Sequence, residues 1–116
     1  MPTTRHDITV NQGAEFTLNV QALNADRTVM DLTGYTAKMQ VRDSKGGSTI
    51  YMTASTAAGT ITINAPGGIV MVNVGADLTT PMTWNSGWYD LIVTASSTNV
   101  KRLVEGFASL SKEVTV

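Results

Sequence analysis

The residues able to do chemistry in this chain are few: one histidine, nine acids, two tryptophans and no cysteine. A Ser-His-Asp triad would have to use His6. His6 sits in a short edge strand beside the terminus, and no G-x-S-x-G elbow occurs to present a serine. It is read as an exposed, inert side chain. The acids Asp7, Glu15, Asp26, Asp31, Asp43, Asp77, Asp90, Glu105 and Glu113 are dispersed. Glycoside hydrolysis needs two carboxyls across a cleft, and nothing in their spacing selects two. Calcium needs several oxygens on one loop, and the best loop, DSKGGS over 43–48, places Lys45 among them. Without cysteine, disulfides, thiolate zinc sites and cysteine nucleophiles drop out. No catalytic residue, metal site or cofactor is assigned, and an enzyme is the least favoured reading.

Binding chemistry is better represented. Trp84 and Trp88 flank the turn Asn85-Ser86-Gly87, and tryptophan is a favoured anchor for sugars and protein partners. Trp84 also suits a second role, covering one open end of a β-sandwich. Trp88 has the opposite parity to Tyr89 and Leu91, so it faces outward, and Ile92 shares that face. Trp88, Ile92 and Trp84 are therefore the expected partner-contact residues, with Trp88 the foremost. Asp31, before Leu-Thr-Gly, is given a structural role, in which its carboxylate accepts backbone N–H groups of the turn it opens. Gly34 supplies the backbone freedom that turn needs.

The elements that must hold these residues are strands. In DLTGYTAKMQVR, over 31–42, Ala37, Met39 and Val41 fall on one face and Lys38, Gln40 and Arg42 on the other. That alternation marks a strand with one face on a core and one in water. Similar strands are predicted over 5–10, 14–22, 50–53, 60–64, 69–74, 88–95 and 100–110, with a brief apolar piece at 29–32 and a last edge pairing around Val114 and Val116. Ala65-Pro66-Gly67-Gly68 closes a hairpin, and residues 76–80 suit a single helical turn stopped by Pro81. Gly106 interrupts the last strand and implies a bulge or a close backbone approach. Seven to nine short strands at this spacing predict an all-β antiparallel sandwich. Its expected core is Phe16, Leu18, Val20, Met39, Val41, Ile61, Ile63, Val70, Val72, Tyr89, Leu91 and Val93. Residues 1–12 are expected to be an N-terminal arm or first edge strand, and 13–116 the sandwich.

Composition narrows the partners. The hydrophobic content of 42% argues against disorder, and the net charge of −1 gives no basic field to recruit nucleic acid. Charged residues make up 15%, below the ~25% of an average soluble domain. Thr, Ser, Asn and Gly take their place. They suit an ordinary β domain and also a surface covered by neighbours. No stretch is apolar enough to span a membrane, and MPTTRHDITV lacks the apolar centre of a signal peptide. Synthesis in the cytoplasm is expected, with any exit by another route than secretion.

Four segments carry a resemblance: DLTGYTAKMQVR over 31–42, the hairpin joining Ile61 and Ile63 to 69–74, GWYDLIVT over 87–94, and VKRLVEGFASLSKEVT over 100–115. In this order they resemble small structural domains of tailed bacteriophages, immunoglobulin-like sandwiches akin to the N-terminal domain of baseplate upper proteins. The closing segment is the most telling part, and the resemblance covers about 13–116. It implies a non-enzymatic virion component, in the tail or baseplate, docked onto other virion proteins and onto copies of itself by the symmetry of the particle. No fibre or coiled coil follows the domain here, which favours an adaptor or accessory protein over a receptor binder. The alternatives are a capsid decoration protein and, from another class, a carbohydrate-binding module using Trp84 and Trp88 as platforms. Docking would use edge strands, the arm over 1–7 and the outward face around Trp88 and Ile92.

Overall fold

The computed structural model describes residues 4–24, 26–96 and 99–112. Nine strands and one helical turn follow in order: β1 (Thr4–Arg5), β2 (Ile8–Asn11), β3 (Phe16–Gln21), β4 (Thr36–Arg42), β5 (Ile50–Ser55), β6 (Ile61–Asn64), β7 (Ile69–Val74), α1 (Ala76–Thr79), β8 (Ser86–Ser96) and β9 (Asn99–Ser111). The larger sheet runs β1-β9-β8-β4-β5, with β2 also on β9, and the smaller runs β3-β7-β6. The expected all-β sandwich is the observed fold. Its long dimension of 45 Å matches β9, whose 13 residues span about 44 Å at ~3.4 Å each.

The inner faces follow the alternation. Ala37, Met39 and Val41 of β4, Tyr89, Leu91 and Val93 of β8, and Val70, Val72 and Val74 of β7 are all buried. Leu18, Val20 and Ile63, expected in the core, are only partly buried, because the smaller sheet has three strands and leaves its edges open. Conversely, Ile8, Val10, Val104, Ala108 and Leu110 belong to the core, so the first and last strands complete it.

Three local departures from regular pairing matter. First, the N-terminal strand is parallel to β9, and it is split. Thr4 lies opposite Val104 and Ile8 opposite Ala108, so its phase is unchanged across the gap at His6 and Asp7. There the Asp7 carboxylate accepts the Phe107 N–H at 3.0 Å, standing in for a ladder bond. The Tyr89 hydroxyl donates to the His6 carbonyl. Gly106 is the close approach expected of it: a Cβ there would strike the His6 carbonyl and lie 2.9 Å from the Asp7 carboxylate.

Second, the bulge in β9 is not at Gly106. Leu91 opposes Val104 but Ile92 opposes Arg102, so Leu103 is the extra residue. Leu103 and Val104 are consecutive and both buried. Third, the end of the sandwich near α1 is closed by polar bonds. Thr79, fully buried, accepts the Gly13 N–H at 3.1 Å and donates to the Ala14 carbonyl at 2.8 Å. The stretch around 29–32 contributes one bridge, Leu23 to Val29, and the buried side chains Met30 and Leu32 in place of a strand. The expected pairing of Val114 and Val116 lies outside the described residues.

Leu91 has no exposed surface and sits at the centre of the larger sheet. Leu91→Ala is expected to cost about 2–5 kcal/mol, by lost transfer energy and a cavity that the two sheets cannot collapse. Urea denaturation of the two proteins measures the difference.

Candidate functional site: the outer face of the larger sheet

The outward residues of β9, β8 and β4 form a grid three by three. Phe107, Trp88 and Arg42 make one row, Glu105, Asp90 and Gln40 the next, and Arg102, Ile92 and Lys38 the third. Alternation alone puts the β8 and β4 members on this face. Phe107 and Glu105 follow from the regular pairing of β9 with β8, and Arg102 from the bulge, because the extra residue Leu103 returns it to the outside opposite Ile92.

The middle row sets two carboxylates directly opposite one another, an arrangement that repels. Cations hold it. Arg102 reaches Asp90 at 3.3 Å and Glu105 at 3.6 Å, and Lys45, folded back from the 43–48 loop, reaches Glu105 at 3.6 Å. The first row is aromatic. Phe107 meets Trp88 edge to face with centroids 5.5 Å apart, and the Arg5 guanidinium and Lys45 ammonium stand 5.3 and 5.2 Å from the Trp88 ring. Arg5 is kept there by Asp7 at 3.4 Å. Between these groups lies an open groove of about 360 Å³, floored by Trp88, Asp90 and Ile92 and walled by Arg42, Lys45 and Arg102.

Trp88 and Ile92 thus occupy the face expected of them, each half-buried, and the structure brings them into one groove. Trp84 does not join them. It is 7% exposed and stacks flat on Tyr51, centroids 5.6 Å apart, closing the end of the sandwich beside Met82 and Pro81. Its placement supports the covering role and removes it from the contact set. Trp88 and Trp84 line separate grooves, Trp88 on the outer face of the larger sheet and Trp84 at the end of the sandwich with Tyr51.

His6 is exposed, and its backbone carbonyl, not its ring, takes part in the structure. Among the described residues no three histidine or acid side chains converge on a point. No helix among them is long and apolar enough to cross a membrane. Asp31 accepts the Thr33 hydroxyl at 2.6 Å and its N–H at 2.9 Å, which hold its carboxyl below the usual range. This is the turn-forming role read from the sequence. Gly34 adopts φ +81°, as that turn demands. Sequence reasoning missed Arg102 as a member of the face, because the bulge that sets its phase has no glycine to announce it, and missed Phe107 and Glu105, because only the register of β9 on β8 places them beside Trp88 and Asp90.

The structural comparisons give the fold a name. Over 97% of its length the chain superposes on a chain of the crystal structure of a chicken TCR, with a TM-score of 0.57 and 11% identity. The fold is immunoglobulin-like. At that identity the likeness concerns architecture alone, and this chain spans 57% of the length of that one. No family model matches the sequence, and no curated protein matches it. The inter-sheet disulfide of antibody domains is impossible here without cysteine.

Burial, with the Asp7 charge nearby, pushes the Tyr89 phenol up to about 12 from 10.0. A raised value for an acid means the folded state prefers the neutral form. The stabilisation is complete below pH 10.0 and is lost as pH rises toward about 12. Wild-type stability is therefore expected to fall across that interval, and Tyr89→Phe to fall less steeply. Denaturant unfolding at a series of alkaline pH values checks this.

Proposed function

We propose that this chain is a non-enzymatic docking module, and that it serves as a structural component of a tailed-phage virion, in the tail or baseplate, beside other virion proteins and copies of itself. The observation that carries the docking part is the open groove on the larger sheet, where Trp88 and Ile92 stand as half-buried apolar anchors on either side of Asp90, among charged neighbours. Tryptophan and arginine at such positions are the anchors that protein interfaces favour. The virion part is supported by the four sequence segments that resemble tailed-phage sandwich domains, three of which, 31–42, 87–94 and 100–115, contribute strands to this face.

The sheet edges offer a second route of contact. Among the described residues no strand pairs with the outer side of β3 or of β5. Both are uncharged in sequence, and neither carries the lysine or proline that commonly blunts an edge. The arm contributes differently from expectation: Arg5 and Asp7 are already paired within the larger sheet, and residues 1–3 lie outside the described residues.

Sedimentation with purified tails and capsids, each assembled in the absence of this chain, tests the proposal. Wild-type protein is expected to pellet with tails. Trp88→Ser, at a half-exposed position, is expected to stay folded by circular dichroism and to pellet at least tenfold less. Pelleting with capsids instead would move the protein to capsid decoration. Failure to pellet with either would overturn the virion reading.

A further inference from the structure

The grid has an electrostatic imbalance that points to the chemistry of its partner. Its carboxylates are all engaged: Asp90 by Arg102, Glu105 by Arg102 and Lys45, and Asp7 beside it by Arg5 and the Phe107 N–H. Two cations are left over. Among the described residues Arg42 donates to neutral groups, the Gly47 carbonyl at 2.7 Å and the Gln40 side-chain oxygen at 2.9 Å. Lys38 has no carboxylate partner among the described residues. Each of these cations stands directly across from an apolar anchor, Arg42 from Trp88 and Lys38 from Ile92.

The other sheet is a control within the same molecule. The outward residues of β3, β7 and β6 are polar but uncharged, apart from the half-buried apolar Ile69 and Met71, so the smaller sheet pairs apolar side chains with no charge at all. In a chain with 15% charged residues and a net charge of −1, surplus cations beside the apolar anchors are a feature of this face alone among the two.

Resting on the docking reading, we infer that the occupant is an acidic, extended segment of a partner protein. It presents two carboxylates, each next to an apolar side chain. Lys38 and Arg42 are four residues apart on one strand, so the carboxylates are to be about 14 Å apart, as in a strand at ~3.4 Å per residue. The apolar side chains cover Trp88 and Ile92, and withdrawing water strengthens the two charge pairs. A nucleic acid fits less well. Its evenly charged backbone would run over Asp90 and Glu105 in the middle row, and a phosphate strand needs a continuous basic field.

The probe is a ten-residue peptide with two glutamates four residues apart, each beside a leucine, and its twin with glutamines in place of the glutamates. Binding is read by the fluorescence of Trp88, with Trp88→Phe as the blank for Trp84. The glutamate peptide is expected to bind at least tenfold tighter than its twin, to weaken as salt rises, and to lose at least tenfold on Lys38→Glu with Arg42→Glu. Equal binding of the two peptides, or tighter binding of a single-stranded DNA of equal charge, would overturn the inference. So would sedimentation with tails that survives Lys38→Glu with Arg42→Glu while Trp88→Ser abolishes it; that result would keep the docking face and reject its acidic partner.

Discussion

The pairing of β8 with β9 is the constraint on which the rest of this molecule depends. These are the two longest strands, and they form the middle of the larger sheet. On one side β9 receives β1 and β2 in parallel, and on the other β8 receives β4. A slip of one residue would turn every side chain of β9 to the opposite layer. Two devices fix the register. Gly106, opposite Tyr89, leaves room for the His6 carbonyl that the Tyr89 hydroxyl binds. Leu103, inserted as an extra residue, drops its side chain into the core and restores Arg102 to the outside. The same insertion therefore fills the interior and composes the exterior.

This dual effect explains how a sandwich with an ordinary interior has an unusual surface. The middle row, with acid facing acid, is unfavourable by itself, and Arg102 and Lys45 offset it. Those contacts are partly solvated, so they add little to stability but fix where charge sits. Once Arg102 and Lys45 are committed to carboxylates, Arg42 and Lys38 stand without them. The smaller sheet meets no such demands and remains neutral. Function on this reading is a property of one face, and the fold contributes mainly by keeping its rows in phase.

Much of this was legible in the sequence, and the limits have physical causes. Alternation placed Trp88 and Ile92 outward and Tyr89, Leu91 and Val93 inward, because β4 and β8 are regular opposite one another. Asp31 and Gly34 were readable because their roles are local, within one turn. Leu103 was not, since a bulge without glycine leaves no compositional mark and only the partner strand reveals it. The parallel attachment of β1 and β2 was likewise hidden, as it joins residues about a hundred positions apart. Thr79 bears no mark in the sequence of its burial, yet its hydroxyl ties α1 to the turn at Gly13. Trp84 had two readings from sequence, and only its stack on Tyr51 decides between them.

The β8–β9 register is open to direct measurement by nuclear Overhauser contacts across the two strands. The expected register sets Leu91 opposite Val104 and Ile92 opposite Arg102, with Trp88 against Phe107. Contacts pairing Ile92 with Leu103, the register of a ladder with no inserted residue, would contradict it and dissolve the charged face built on it.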